Sequence, residues 1–188
     1  MVMLLGLREA LWQVFWSREE CFALRRSEKK RQLNGGLLQS AFGRNEPLFS
    51  LEDDRTQVTR LLELLELPHG ARVLDVPCGQ GRHAHLLAEA GLQVTGLDYS
   101  ATLIAKAKGR GVSRTLRYVR GDMRQLPTRW TGMFDAVVNL FTSFGFFADA
   151  RDDQRVIDGF ARMLKPGGTL IWHGGSRDGV MAKFLDRS

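Results

Sequence analysis

The stretch Arg72 to Ser100, RVLDVPCGQGRHAHLLAEAGLQVTGLDYS, limits what this chain can fold into more than any other segment. Val73, Leu74 and Val76 form a short apolar run suited to a buried parallel strand. Gly79 and Gly81 follow, where the backbone must turn sharply into a helix. Gly91 closes that helix, and Val94, Gly96 and Leu97 form the next strand, which ends at Asp98, 17 residues after Gly81. Strand, glycine turn, helix and second strand in quick succession make one half of an open α/β sheet with parallel strands. Ligands of such sheets bind outside the carboxyl ends of the strands, so the glycine turn and Asp98 are expected to face one crevice. There Asp98 can grip a ribose diol with both oxygens.

Two nucleotide chemistries use this layout. A dinucleotide site asks for G-x-G-x-x-G with the pyrophosphate on a helix N-terminus. Gly79-Gln80-Gly81-Arg82-His83-Ala84 fits with alanine in the last place. Asp75 argues the other way, because it sits in the strand four residues before Gly79. A carboxylate there would repel a pyrophosphate, yet it suits the ammonium group of a methionine-like moiety.

Asp75-Val76-Pro77-Cys78-Gly79-Gln80-Gly81 resembles motif I of class I S-adenosylmethionine-dependent methyltransferases. Further matches follow in order. Gly121-Asp122-Met123 resembles the segment whose acidic residue contacts the adenine amino group, Phe134 to Leu140 the strand-four motif, and Leu164-Lys165-Pro166-Gly167-Gly168 the turn before strand five. Pro77 to His83 and Asn139 to Phe147 are similar to the P-C-G-x-G-R-H and N-L-F-T-S-F-G-F-F of a bacterial subgroup of methyltransferase-domain proteins. Pro77 replaces the usual motif I glycine, a departure that the subgroup shares. The resemblance covers roughly residues 50 to 180 and implies a Rossmann-like parallel sheet with S-adenosylmethionine as cofactor. Carried over residue by residue, it implies Asp75, Pro77, Cys78, Gly79, Gly81 and Arg82 around the methionine and ribose, and Asp98 with Tyr99 at the ribose. Asp122 and Met123 then meet the adenine, while Asn139, Leu140 and Phe141 flank the reaction centre.

Composition narrows the setting. A chain of 188 residues with 44% hydrophobic content suits one folded domain. The net charge of +6 is divided evenly between residues 1–50 and the remainder, unlike the concentrated charge of a nucleic-acid tail. Cys21 and Cys78 are the only cysteines, and Cys78 lies in the glycine turn, so a disulfide framework is not expected and a reducing cytoplasm is the simplest compartment. No apolar run reaches the ~20 residues that span a bilayer.

Before this segment, Leu4, Leu7, Leu11 and Val14 or Phe15 recur at helical spacing, which predicts an amphipathic helix over Met1 to Trp16. Packing on the domain, docking on another chain, surface membrane binding and service as a lid are roles open to this arm of residues 1–49. Arg25, Arg26, Lys29, Lys30 and Arg31 read as a solvated helix face. Ser50-Leu51-Glu52-Asp53 predicts a capped helix start, with Val58, Leu61, Leu62 and Leu65 facing inward.

Arg82 and His83 open the helix after the glycine turn, and two roles are open to them: contact with a ligand carboxylate or acceptor, and hydrogen bonds at the helix end. His83 and His85 are two apart, the wrong spacing for a shared metal on a helix, and no metal site is expected. Eight Lys and Arg residues lie between Lys106 and Arg129 against the single acid Asp122; a solvated basic edge fits them better than an RNA track. Phe141 to Phe147 is dense in aromatics that could plug the core or line an apolar acceptor pocket. The helix Asp149 to Leu164 should turn Val156, Phe160, Met163 and Leu164 inward and lead to a fifth strand, Thr169 to Trp172. His173 at its end is a candidate general base.

Only five strands are legible, whereas the resembling fold continues through two more, in the order 3-2-1-4-5-7-6. The fifth strand then needs cover, from the N-terminal helix or another copy of the chain, since an open edge invites pairing. Residues 50–188 are expected to form the cofactor-binding domain, acting by methyl transfer to a small-molecule acceptor. The rival readings are an NAD(P)-binding oxidoreductase, which rests on the glycine spacing and Asp98, and a catalytically silent binding protein on a shortened methyltransferase fold.

Overall fold

The computed structural model describes residues 13–14, 21–25, 51–140, 147 and 149–173. Its strands are β1 (Gln13–Val14), β2 (Cys21–Arg25), β3 (Arg72–Asp75), β4 (Gln93–Asp98), β5 (Leu116–Arg120), β6 (Phe134–Asn139) and β7 (Leu164–His173). The helices are α1 (Leu51–Leu65), α2 (Arg82–Glu89), α3 (Ala101–Arg110) and α4 (Ala150–Met163). All seven strands join one sheet in the order β1-β2-β7-β6-β3-β4-β5. The five strands from β7 to β5 are parallel, which is the Rossmann-like arrangement expected, with β3 central and β6 and β4 on either side.

Strand periodicity sorts side chains into two cores. Val73 faces α1, α2 and α3, together with Val94, Ala136 and Val138. Leu74 points the other way and packs with Leu97, Val137 and Leu170 against α4 and the turn around Trp130. A strand buried on both faces reads as a continuous apolar run because each neighbour in sequence serves a different layer. The helical stripes agree with this division: Val58, Leu61 and Leu65 of α1 are buried, Leu62 is partly so, and Val156, Phe160 and Met163 of α4 are at most 1% exposed.

Helix ends follow from local chemistry. Ser100 Oγ accepts the Leu103 N–H at 3.3 Å to cap α3, and the Asp149 carboxylate accepts the Arg151 N–H at 2.9 Å to cap α4. α1 stops where Glu66 takes a φ of 48°. Gly91, at φ 92°, turns the chain after α2 against the His69 ring, leaving no space there for a Cβ. The Lys-Pro-Gly-Gly sequence expected as a turn is a bulge in β7: Leu164 pairs with Phe134 and Thr169 with Ala136, so the four residues between bow out.

The edge of β7 differs from expectation. Its cover is a strand: β2 runs antiparallel to it from Cys21↔His173 to Arg25↔Thr169, and β1 pairs with β2 through Gln13↔Arg25 and Val14↔Leu24. The helix read over Met1 to Trp16 therefore fails at Gln13–Val14, and Arg25, read as part of a helix face, lies in a strand. Unpaired N–H and C=O groups along β7 offer a ladder, which overrides the weak helical periodicity of the segment. The rest of that arm lies outside the described residues, as do the Ser50 cap and Phe141, Phe144 and Phe146.

Candidate functional site

The carboxyl ends of β3, β4 and β6 converge at the point where strand order reverses, since β3 lies between β4, its successor, and β6, three strands later in the chain. In an open α/β sheet this is where ligands enter. Asp75 ends β3, Asp98 ends β4 and Asn139 ends β6, and all three side chains are buried.

Asp98 is the organiser of the turn. One carboxylate oxygen accepts the Gly79 N–H at 2.8 Å and the other the Ser100 N–H at 2.8 Å. A carboxylate offers about four lone-pair sites, so both oxygens retain capacity for a diol. Gly79 and Gly81 have φ of 55° and 78°. At Gly79 an added Cβ meets nothing within 4 Å, while at Gly81 it would lie 2.5 Å from Tyr118 Oη. The first glycine opens onto space and the second allows close packing on Tyr118, whose hydroxyl donates to Gly81 O at 3.2 Å. Cys78 is buried beneath this turn; its N–H donates to Leu97 O at 2.8 Å. Burial, reinforced by Asp75 and Asp98, pushes its thiol up, so it is a structural thiol rather than a nucleophile.

Asp75 and Asn139 each carry a buried oxygen with no protein hydrogen-bond partner, Oδ2 and Oδ1 respectively. Asn139 is fixed by its amide, Nδ2 donating to Val76 O at 2.7 Å. Burial pushes Asp75 up to about 7; the Arg82 guanidinium opposes this, and the Asp98 charge adds to it. Two buried acceptors beside a glycine turn fit a ligand that brings hydrogen-bond donors and positive charge, as the ammonium end of S-adenosylmethionine would.

Arg82 turns towards α1. It pairs with Asp54 through a buried ion pair and also donates to Gln57 Oε1 at 3.5 Å, while His83 Nε2 lies 2.8 Å from the same oxygen. Asp54, Gln57 and His83 are 5%, 2% and 4% exposed, so this polar knot clamps α1 to the start of α2 in the interior. The sequence reading overlooked Asp54 and Gln57. Their signal was positional: Asp54 lies on the same helical stripe as Val58, Leu61 and Leu65, where a polar residue needs a partner.

Asp122, two residues past the end of β5, accepts from the Arg124 N–H, Nε and Nη2, at 2.7–3.1 Å. Those bonds hold its carboxyl below the usual range. Arg124 also donates to Asp152 of α4 at 2.8 Å and stacks 5.0 Å from the Phe147 ring centroid. Tyr99 is 70% exposed just beyond Asp98, Met123 is partly buried and Leu140 is buried. His173 ends β7 opposite Cys21. Phe141 lies outside the described residues. Arg72, Arg114 and Arg117 line a depression of about 80 Å³ at the amino ends of the strands, away from this crevice. Among the described residues no acidic, His or Cys cluster could hold a metal, and no helix is long and apolar enough to cross a membrane.

Parallel sheet, flanking helices and a glycine turn held by a strand-end carboxylate together define a Rossmann-like α/β domain. Comparison with known proteins is more specific. Residues 73–168 match the family described as "Methyltransferase domain", and the chain belongs to that family. It is 34% identical over 117 residues to the "Putative methyltransferase YqeM" of Bacillus subtilis, covering 62% of this chain and 47% of that protein. It is 35% identical over 134 residues to a "Ubiquinone biosynthesis O-methyltransferase" of Xanthomonas oryzae, covering 70% and 53%. The chain thus spans about half the length of these curated relatives. Among solved structures, SAM-bound CalS10, an amino pentose methyltransferase from Micromonospora echinaspora, superposes with a TM-score of 0.59 at 26% identity, over 71% of this chain and 60% of that one.

Proposed function

We propose that this chain is the cofactor-binding unit of an S-adenosylmethionine-dependent methyltransferase that acts on a small molecule. The observation that carries the reading is the Asp75 carboxyl, buried with an unpartnered oxygen beside the Gly79–Gly81 turn that Asp98 holds. A pyrophosphate would meet the acceptor oxygens of Asp75 and Asn139 and the Asp98 carboxylate there, whereas a cationic amino-acid end gains acceptors, which disfavours the oxidoreductase alternative. Membership of the methyltransferase-domain family supports the same choice.

In this reading Asp75, Pro77, Cys78, Gly79 and Gly81 surround the methionine and ribose, Asp98 takes the ribose diol, and Tyr99 closes over it. Asp122 and Met123 border the adenine. Arg82, paired with Asp54, contributes its positive charge to the neighbourhood of Asp75. Asn139, Leu140 and Phe141 flank the reacting methyl group. When bound, S-adenosylmethionine supplies a methyl group already made electrophilic by its sulfonium. The protein's task is then to orient the acceptor and exclude water. His173, at the carboxyl end of β7, is the candidate base where an acceptor must lose a proton. Residues 50–188 carry the crevice, and from the segment before them β2 pairs along the β7 edge and β1 along β2.

The acceptor class is supported by relatives whose names specify a quinone-pathway or sugar substrate. Calorimetric titration of the folded chain with S-adenosylhomocysteine, with NADH as control, tests the cofactor assignment. Saturable binding of the first alone is expected; no binding, or preference for NADH, rejects it.

A further inference from the structure

Every charged neighbour of Asp75 already has a partner. Arg82, from α2, is committed to Asp54 and Gln57. Asp98, from β4, is held by the Gly79 and Ser100 amides and repels a second negative charge. Cys78 of the turn and Tyr118 of β5 also feel Asp75, and both are pushed up by burial, so they are neutral at ordinary pH and offer no countercharge. Asn139 of β6 gives its amide to Val76 and brings only another acceptor oxygen. The Ala84 backbone N–H and the Arg82 charge favour the ionised form of Asp75, yet the carboxyl is only 2% exposed, its Oδ2 lacks a protein donor, and the Arg82 guanidinium is paired with Asp54. A buried carboxylate with an unpartnered oxygen is costly, and holding a proton relieves that cost.

We propose that Asp75 is a proton-linked receptor for the ammonium group of the methyl donor: it is protonated in the free protein and releases its proton to solvent when the ammonium arrives. The inference rests on the methyl-donor reading above and adds a coupling to it. The exchange balances: a neutral carboxylic acid and an ammonium ion become a carboxylate–ammonium pair and one free proton. The consequence is that cofactor affinity rises with pH through the range in which the free carboxyl ionises, because the proton and the ammonium compete for the same oxygen. Asp75 would thereby distinguish ligands with an amino-acid end from bare nucleosides.

Calorimetry at pH 6 in buffers of different ionisation enthalpy counts the protons released. At that pH an α-amino group, which titrates near ~8, is already protonated and contributes nothing. S-adenosylhomocysteine should release most of one proton per site, since a carboxyl pushed up to about 7 is largely protonated at this pH. Methylthioadenosine, which lacks the amino-acid end, should bind with no proton released. Asp75→Asn should bind S-adenosylhomocysteine about tenfold more weakly and with the release abolished. Equal release with both ligands, or release that persists in Asp75→Asn, overturns the proposal while leaving the cofactor assignment standing. Failure of S-adenosylhomocysteine to bind overturns both. If Asp75→Asn does not fold, the two-ligand comparison on the unaltered protein decides.

Discussion

The carboxylate of Asp98 accepts the amide N–H of Gly79 at 2.8 Å, so the end of β4 fixes the turn that follows β3. Binding geometry and local stability are therefore tied to one side chain. Replacing Asp98 with alanine removes this bond and the Ser100 one together. Affinity for S-adenosylhomocysteine is expected to fall about 10- to 100-fold, and the melting temperature should fall as well. Titration calorimetry and thermal unfolding of the same sample read both effects; unchanged affinity would remove Asp98 from the binding site.

The two turn glycines should respond differently. Gly81→Ala combines a left-handed φ of 78° with a Cβ 2.5 Å from Tyr118 Oη, and should cost about 2–4 kcal/mol in urea unfolding. Gly79→Ala meets no atom within 4 Å, so only its φ of 55° is penalised, at about 1 kcal/mol. Its added methyl projects into open space at the crevice, so it should cost ligand affinity more than stability.

Asp54→Ala breaks the buried ion pair with Arg82 and should destabilise the protein by about 3–5 kcal/mol. Replacing both residues with leucine and methionine, Asp54→Leu with Arg82→Met, removes both buried charges and should recover most of that loss. A double-mutant cycle by chemical unfolding measures the coupling; additive losses would show that the clamp between α1 and α2 rests on other contacts.

Stability of the ligand-free protein should decrease as pH rises from about 4 to about 7. The sign follows from Asp75: burial pushes its carboxyl up to about 7, whereas an unfolded aspartate titrates near ~4, so in this window the folded state binds the extra proton. Stability from this source is fully present below the unfolded value and is lost as pH climbs through the folded one. Asp122 and Asp135, held low by Arg124 and by Lys165 with the Arg72 amide, act in the opposite sense at more acid pH. Urea unfolding across pH 5 to 8 should show the decline in the unaltered protein and a flatter profile in Asp75→Asn; parallel profiles would contradict it.

Much of the fold was legible because parallel-sheet chemistry is local. Val73 and Leu74 announce a doubly buried strand, Gly79 and Gly81 a turn that only positive φ permits, and Asp98 a polar residue at a strand end. Val156, Phe160 and Met163 marked the inner face of α4 by spacing alone. The β2 strand was not legible, because pairing with β7 is decided by backbone groups that an edge leaves unpaired and not by side-chain pattern.

From residue 51 onward the sequence by itself determined the order of strands and helices, the position of the glycine turn and the carboxylates at the strand ends, since each depends on residues close together in the chain. Tertiary structure alone decided which charges are neutralised. Arg82 meets Asp54 from 28 residues away, Arg124 joins Asp122 to Asp152, and Asp75 is left with a buried, unpartnered oxygen. Desolvation and pairing depend on what the rest of the fold places around a group, and no spacing rule along the chain contains that information.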